Sequence, residues 1–271
     1  MSEAKRYTAA LTIAGSDSGG CAGIQADLKT FSAIGVFGAS VITSITAQNT
    51  QGVRAVEALS PKIIRQQLEA VLDDVAIDAV KTGMLPSPEI IEVVAEMIDR
   101  YRLKSVIVDP VMVATSGARL ALASTAGAFK KELCRRIALI TPNVPEAEAL
   151  SGVSIQAEKD FREAAEVLLA QGCPAVLIKG GHLPSACSVD ILFRQDKEPV
   201  SFSSPRICTA NLHGTGCTFS AAIAAYCALG RELEPAVKSA KTYISSAILS
   251  GSKRTLGKGH GPVNHFFKSV A

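Results

Sequence analysis

A chain of 271 residues that is 48% hydrophobic can bury a sizeable core and is long enough for one large α/β domain. The net charge of +3 is small and the basic residues are scattered, so the charge distribution gives no reason to expect binding to nucleic acid or to a membrane surface. The seven cysteines are an odd number without a CxxC pair, so they favour neither a disulfide framework nor a zinc site.

The organisation of the chain predicts one domain, residues 1–271, in the cytoplasm. No Pro- or Ser-rich linker, charge block or internal repeat divides the sequence. The apolar run near the N-terminus is too short for a signal peptide, and no segment reaches the uncharged length of a membrane span.

The first structural unit is a strand, a glycine-rich loop and a helix. The apolar run 8–14 predicts a strand, and the loop 15–23 that follows contains four glycines. Ile24, Leu28 and Phe31 then recur at helical spacing. A dinucleotide-binding fingerprint is absent, because the loop lacks GxGxxG. We therefore expect this loop to hold a small polar ligand.

Strands and helices then alternate along the chain. Further strands are predicted at 40–47, 53–59, 79–81, 105–108, 137–140 and 175–178, and an antiparallel edge pair at 188–193 and 200–202. Several central strands are uninterrupted apolar runs, which is typical of a parallel sheet covered by helices on both faces.

Polar residues gather where such sheets bind ligands. They lie at or just beyond the carboxyl ends of predicted strands: Gly15, Gln48, Lys81, Asp109, Asn143 and Lys179. A single polar residue at a strand end is ordinary loop chemistry. Six of them at one edge of a parallel sheet predict a ligand site.

A second signal is the uncharged stretch from Thr215 to Gly230, which predicts a helix buried on all sides. It begins with Gly214, Thr215 and Gly216, and the first amides of a helix carry partial positive charge and bind anions. By itself this motif more often marks a tight turn that leads into a core helix.

These residues together fit phosphoryl transfer, which needs positioning and charge neutralisation. Lys179 could neutralise phosphate charge, and Asp109 with Glu146 could hold Mg²⁺ through water. We expect the helix N-terminus to lower the thiol pKa of Cys217, which could then accept the substrate proton. The sequence contains no Walker A lysine motif and no GxSxG elbow.

Several segments carry a specific resemblance: ALTIAGSDSGGCAGIQADLKTFSAIGVFGASVITSITAQNTQGV, VKTGML, VDPVM, LITPNVPEAEAL, VLIKGGH, NLHGTGCTFSAAIAA and GHGPVNHF. In this order they resemble the hydroxymethylpyrimidine kinase / phosphomethylpyrimidine kinase family of thiamine biosynthesis, a branch of the ribokinase superfamily. The resemblance covers nearly the whole chain. It implies a three-layer α/β/α ribokinase-like fold with a mostly parallel central sheet flanked by helices.

The resemblance also implies an activity: MgATP-dependent phosphorylation of 4-amino-5-hydroxymethyl-2-methylpyrimidine, and then of its monophosphate to the diphosphate. Related enzymes are often dimers, and the predicted second and third strands are a candidate contact and lid. Many ribokinase relatives carry Asp as a base at the position of Cys217, so this departure weakens a sugar-kinase interpretation.

Site roles follow from the matching motifs. Gly15, Asp27 and Gln48 would line the pyrimidine pocket, with Met84 near the ring. The segment 143–146, with Asn143 and Glu146 at its ends, resembles the magnesium and phosphate element. Lys179 would reach the ATP phosphates, Gly214 to Cys217 would form the anion hole, and Lys241 is a candidate nucleotide contact.

Ordinary structural roles remain open for several of these residues. Asp27 could face solvent from its helix, and Cys217 could be a small residue packed at a helix start. Glu146 could be a first-turn acid favoured by the helix dipole. The ammonium of Lys241 could extend to solvent.

Other functions also remain open. Pyridoxal kinase uses the same scaffold and would be favoured by a lid cysteine, which residues 109–113 do not offer. A Cys217-dependent acyl transferase or hydrolase would need a histidine base, and His213 is too close in sequence to ensure the geometry. The third alternative is a non-catalytic binder of thiamine precursors.

Overall fold

The structure is a computed structural model that describes residues 5–111 and 125–268. Its strands are β1 (Ala9–Asp17), β2 (Phe37–Asn49), β3 (Gly52–Ala58), β4 (Ala79–Thr82), β5 (Val106–Val108), β6 (Leu139–Ile140), β7 (Ala175–Lys179), β8 (Cys187–Arg194) and β9 (Lys197–Pro205). Its helices are α1 (Gly23–Ile34), α2 (Pro61–Leu72), α3 (Pro88–Tyr101), α4 (Thr125–Glu132), α5 (Val144–Ser151), α6 (Phe161–Ala170), α7 (Thr215–Ala228) and α8 (Leu233–Gly251).

The described strands form one sheet in the order β3-β2-β1-β4-β5-β6-β7-β8-β9. The six central strands are parallel to one another: β2, β1, β4, β5, β6 and β7. Strand β3 at one edge and strands β8 and β9 at the other are antiparallel to their neighbours. The mostly parallel sheet and the antiparallel pair near its edge, both predicted from the sequence, are confirmed.

Two hydrophobic cores lie on opposite faces of the sheet because side chains alternate along each strand. On β5, Val106 and Val108 join one core, whereas Ile107 joins the other. The first core contains the apolar faces of α2 to α6, and the second contains those of α1, α7 and α8. The layers are therefore helix, sheet and helix, which confirms the α/β/α prediction.

Helix α7 is the most buried helix of the second layer. Its residues from Thr218 to Ala225 are all buried, which explains why this stretch tolerates no charge. Its last turn is half-exposed and Leu229 beyond it is exposed, so burial on all sides is confirmed only for the middle of the helix. Within residues 5–111 and 125–268, no helix has both the length and the apolar character needed to cross a bilayer.

Strand β1 continues further than the apolar run 8–14 predicted. Ser16 and Asp17 still pair with Ile45 and Thr46 of β2, after an irregularity that follows Ala14. Gly15 therefore lies within the strand and not in the loop. Since the backbone of Asp17 remains tied to the sheet, its side chain has a fixed position at the carboxyl edge.

A late segment of the chain closes over the turn between β2 and β3. The amide of His260 donates to the carbonyl of Thr50 at 2.8 Å, and the amide of Gly259 donates to the Thr50 hydroxyl at 3.2 Å. The amide of His213 donates to the carbonyl of Gly261 at 3.1 Å. Residues near 50, 213 and 260 are thereby held together beside the carboxyl edge of the sheet.

Candidate active site

The carboxyl ends of β5 and β7 bring an ion pair to the edge of the sheet. The ammonium of Lys179 lies 2.7 Å from Oδ1 of Asp109, and both side chains are largely buried. Ser220 of α7 donates to Oδ2 of Asp109 at 3.3 Å. Burial acts to lower the pKa of Lys179, but the negative charges of Asp109 and Glu146 outweigh it and raise this pKa. Lys179 is therefore a charged ammonium at neutral pH.

The start of α7 lies beside this ion pair. Gly214 adopts a φ of 80°, and a side-chain carbon added there would come within 1.9 Å of the carbonyl oxygen of Cys21. A carbon added at Gly216 would lie 3.5 Å from Nζ of Lys179 and 3.6 Å from Oδ2 of Asp109. The partial positive charge of the helix N-terminus, which includes Thr215, is thus next to the Lys179 ammonium, and the two together favour an anion.

Asn143 and Glu146 form the start of α5. The Asn143 side chain accepts a hydrogen bond from the Glu146 amide at 3.0 Å, and the Glu146 carboxylate accepts one from the Asn143 amide at 2.8 Å. This capping box explains the spacing of the two residues. Asp109 and Glu146 together place more negative charge around Lys179 than its ammonium neutralises. Their oxygen donors fit the ligand preference of Mg²⁺.

A second ion pair is completely buried. Lys81 of β4 lies 2.8 Å from Oδ2 of Asp27 of α1, both side chains are 0% exposed, and Thr12 donates to the same oxygen at 2.6 Å. Burial acts to lower the pKa of Lys81, but the carboxylates of Asp27 and Asp109 raise it. Oδ1 of Asp27 has no hydrogen-bond partner among the described residues. Asp27 therefore faces the protein interior and not solvent.

Cys217 lies in the first turn of α7, where the sequence predicted a lowered thiol pKa. That prediction was wrong. Desolvation is the largest effect and raises the pKa of Cys217 to about 11. Lys81 and a backbone amide act to lower this pKa, whereas the carboxylates of Asp27 and Asp109 act in the same direction as desolvation. The thiol therefore keeps its proton at neutral pH.

The predicted pyrimidine pocket lies between β1, β2 and the loop after β4. A carbon added at Gly15 would lie 3.1 Å from Cε of Met84 and 2.7 Å from the Ser44 hydroxyl, so Gly15 and Met84 face each other closely. Gln48 is near the end of β2, and its side-chain amide contacts Nε2 of His213 at 2.9 Å. Gly15, Gln48 and Met84 thus lie at the same sheet edge as the ion pairs.

Three potential metal ligands, Asp17, Cys21 and His213, also approach one another within 4.8 Å. Oδ2 of Asp17 accepts from the amides of Cys21 and Ala22, and Oδ1 accepts from the amide of Gly19. Because the carboxylate already faces three amide donors, this cluster is better explained as an anchor for the glycine-rich loop than as a metal site.

Lys241 lies on α8, away from the start of α7. Its ammonium is 2.7 Å from Oδ2 of Asp190 and 3.0 Å from the carbonyl of Ser188, both on β8. Oδ1 of Asp190 accepts from the Gly180 amide at 3.1 Å. The structure therefore places Lys241 in an ion pair that supports the backbone following Lys179, and it brings the ammonium neither to solvent nor to the anion site.

A family model described as phosphomethylpyrimidine kinase matches residues 17–264. The chain belongs to this family. The match extends from the end of β1 to beyond α8, so it includes every site residue discussed above except Thr12 and Gly15. The resemblance identified from the sequence motifs is confirmed.

Individual members of the phosphomethylpyrimidine kinase family agree with this assignment. The chain is 47% identical to the hydroxymethylpyrimidine/phosphomethylpyrimidine kinase of Escherichia coli over 95% of this chain and 97% of that protein. It is 51% identical to the thiamine biosynthesis bifunctional protein ThiED of Geobacter sulfurreducens over 94% of this chain, but it spans only 51% of that longer protein.

A solved pyridoxal kinase structure matches this chain in fold. The structure of an ADP complex of Bacillus subtilis pyridoxal kinase superposes with a TM-score of 0.88, at 39% identity, and covers 96% of this chain and 98% of that one. The ribokinase-like architecture of the phosphomethylpyrimidine kinase family is therefore present along nearly the whole chain.

Sequence reasoning assigned no role to two residues that the structure brings to the site. Lys81 was grouped with the strand-end residues, and a lysine within the apolar strand AVKT could have indicated a buried ion pair. His213 was considered as a possible base for Cys217 and otherwise as a loop residue with local hydrogen bonds. Its contacts with Asp17 and Gln48 depend on chain segments distant in sequence, which no local pattern reports.

Lys81→Met should lower the free energy of unfolding by about 3–5 kcal/mol, because it leaves the Asp27 carboxylate buried and uncompensated. The double variant Lys81→Met/Asp27→Leu should be less destabilised than Lys81→Met alone. Arg65→Met is the matched control, since it breaks the exposed Arg65–Glu96 pair of 2.6 Å and should cost at most about 1 kcal/mol. Chemical denaturation measures all three, and equal effects of Lys81→Met and Arg65→Met would contradict the buried pair.

Alkylation of Cys217 should be slow at neutral pH and accelerate as the pH rises toward about 11, because only the thiolate reacts. Iodoacetamide labelling over a pH series, resolved by peptide mass spectrometry, measures the rate at each cysteine. The exposed Cys208 provides an internal control for the reagent. A rate at Cys217 that is already maximal at pH 7 would show a low thiol pKa and contradict this assignment.

Proposed function

We propose that this protein phosphorylates 4-amino-5-hydroxymethyl-2-methylpyrimidine and then its monophosphate with ATP in thiamine biosynthesis. The observation that carries the proposal is the Lys179–Asp109 pair beside the N-terminus of α7, in a member of the phosphomethylpyrimidine kinase family. The solved ADP complex of the related Bacillus subtilis kinase supports ATP as the phosphate donor. A single domain over residues 1–271 in the cytoplasm is part of the proposal.

Charge neutralisation is the main task of the proposed site. The Lys179 ammonium and the amides of Gly214, Gly216 and Cys217 would face the negative oxygens of the transferred phosphoryl group. The Thr215 amide donates to the carbonyl of Leu212 at 3.2 Å and would shape this turn. Asp109 and Glu146 would hold Mg²⁺ through bridging water molecules, the ligation that this ion prefers. When bound, that ion neutralises phosphate charge between the nucleotide and the protein.

Proton removal is a minor task in this mechanism. Loose phosphoryl-transfer transition states place little demand on a base, and the Cys217 thiol is protonated at neutral pH. Cys217 would therefore position the attacking hydroxyl against the start of α7, and its thiol would not be a strong base.

Substrate recognition would use the opposite side of the site. Gly15 lets the ring approach β1, Met84 would pack against it, and the Gln48 amide would hydrogen-bond to the ring edge. Asp27 is 0% exposed and paired with Lys81, so it would support this pocket from behind and would not contact the ligand directly. Lys241 is the weakest assignment, because its ammonium is engaged by Asp190.

Pyridoxal phosphorylation is the second candidate function, and the match to the Bacillus subtilis pyridoxal kinase favours it. The residues 109–113 contain no lid cysteine, although Met112 and Val113 lie outside the described residues. Acyl transfer through Cys217 loses its support, since the thiol pKa is raised and His213 contacts Asp17 and Gln48.

ADP release with MgATP should be rapid with hydroxymethylpyrimidine and with its monophosphate, and slow with pyridoxal at the same concentration. A coupled assay of each substrate measures this. Pyridoxal as the only good substrate would replace the proposed function with the second candidate. Turnover of none of them would refute the kinase function.

Lys179→Ala should reduce kcat by about 100-fold or more, and Cys217→Ala by no more than about tenfold. The exposed Lys197→Ala is the control and should match the wild type.

We also propose that two copies associate through the edge formed by β2 and β3. Among residues 5–111 and 125–268, strand β3 ends the sheet, so its outer side has no strand partner there. Ile45 is 51% exposed and Val56 is 39% exposed. Ile45 pairs with Glu57 and Val56 with Thr46, so the two side chains project from opposite faces of the hairpin, and a second copy that joins the β3 edge would cover part of each.

Ile45→Lys/Val56→Lys should convert a dimer into a monomer, because the introduced charges would face each other across the contact. Light scattering coupled to size-exclusion chromatography measures the mass. Leu249→Lys is the matched control, since Leu249 is an exposed aliphatic residue of α8, and it should remain dimeric. A monomeric wild type would overturn this proposal.

A further inference from the structure

His213 connects the loop anchor Asp17 to the proposed substrate contact Gln48. Its Nε2 lies 3.4 Å from Oδ2 of Asp17 and 2.9 Å from the atom placed as Nε2 of Gln48, so two nitrogens face each other there. The side chains of His213 and Asp17 are both almost fully buried. Nδ1 of His213 is also buried and has no hydrogen-bond partner among the described residues. The two ring nitrogens therefore lie in very different surroundings.

These surroundings determine which ring nitrogen carries the proton. A proton on Nδ1 would leave a buried donor without a partner and would turn the Nε2 lone pair toward the Asp17 carboxylate. A proton on Nε2 places positive rather than negative charge density 3.4 Å from that carboxylate and leaves on Nδ1 only an acceptor, which costs less to bury unpaired. Although burial acts to raise the pKa of Asp17, the hydrogen bonds from His213 and from backbone amides lower it. The carboxylate is therefore ionised, and the Nε2–H form is favoured.

The proton on Nε2 then determines the orientation of the Gln48 amide. A donor at Nε2 needs the amide oxygen of Gln48 opposite to it, which is the placed amide turned by half a rotation, and the two ends of an amide have nearly the same shape. Thr46 is compatible with the turned amide. Its hydroxyl lies 3.0 Å from the Ser16 carbonyl and 3.1 Å from the atom placed as Oε1 of Gln48. Because its single proton is used on the Ser16 carbonyl, Thr46 can accept from the amide nitrogen of Gln48.

We propose that Asp17 and His213 fix the Gln48 amide with its oxygen toward His213 and its nitrogen toward Thr46, and that this orientation sets substrate specificity. One N–H of Gln48 is used on Thr46, so the other is presented to the ligand as a fixed donor. A fixed donor selects a ring edge that offers an acceptor, such as an unprotonated pyrimidine nitrogen. His213 is thus a positioning residue. This inference rests on the proposed function, in which Gln48 contacts the aminopyrimidine.

The first test is the protonation of the imidazole in the ligand-free protein. Long-range ¹H–¹⁵N correlation spectra distinguish a protonated from an unprotonated ring nitrogen. Comparison with a His213→Gln spectrum assigns the His213 signals. We expect the Nε2–H form at neutral pH, and a proton on Nδ1 with a bare Nε2 would overturn the proposal. This measurement is independent of turnover.

The second test separates positioning from simple packing. His213→Leu keeps an apolar side chain of similar bulk but removes the donor, so KM for hydroxymethylpyrimidine should rise at least about tenfold. Its kcat and its KM for ATP should stay within about twofold of the wild type. His213→Gln should recover most of the lost affinity, because its terminal amide can donate near the position of Nε2. His260→Leu is the control, since His260 is exposed.

The outcomes separate this inference from the proposed function. A wild type that phosphorylates no pyrimidine would overturn the proposed function and the specificity role together. A wild type that is active, with His213→Leu folded and unchanged in KM, would overturn only the positioning role. A folded His213→Gln as impaired as His213→Leu would show that imidazole shape, and not its donor, is required, and would also overturn it.

Discussion

The packing of Gly214 against the carbonyl of Cys21 is the contact on which the site depends. A side-chain carbon at this position would be 1.9 Å from the carbonyl oxygen, so only glycine allows the start of α7 to meet the loop that follows β1. This approach places the first amides of α7 beside the residues at the ends of β5 and β7. Without it, the lysine and the helix N-terminus would not face the same volume.

Two ion pairs surround this contact, and they differ in exposure. Lys81 and Asp27 have no access to solvent, whereas Lys179 retains 12% of its side-chain surface and can meet a ligand. The buried pair holds α1 against β4, and the accessible pair supplies a cation at the edge of the sheet. A lysine–aspartate ion pair thus has a structural role at Lys81 and a proposed catalytic role at Lys179.

The sequence was sufficient for the architecture because apolar runs and glycines report local structure directly. It predicted the parallel centre of the sheet, the antiparallel pair β8–β9, and a buried α7. It was wrong about the Cys217 pKa, because the helix N-terminus is a local feature while the desolvation and the carboxylates of Asp27 and Asp109 come from the assembled fold. The contacts of Lys241 with Asp190 and of His213 with Gln48 likewise join distant segments.

The contact between Thr50 and the segment near His260 has a consequence for the order of folding. Gly259 and Thr50 are 209 positions apart in the chain, and closing so long a loop costs conformational entropy before its contacts form. During synthesis, β1 and β2 emerge long before the segment that closes over their turn. The pyrimidine side of the site can therefore mature only after the segment near His260 has left the ribosome.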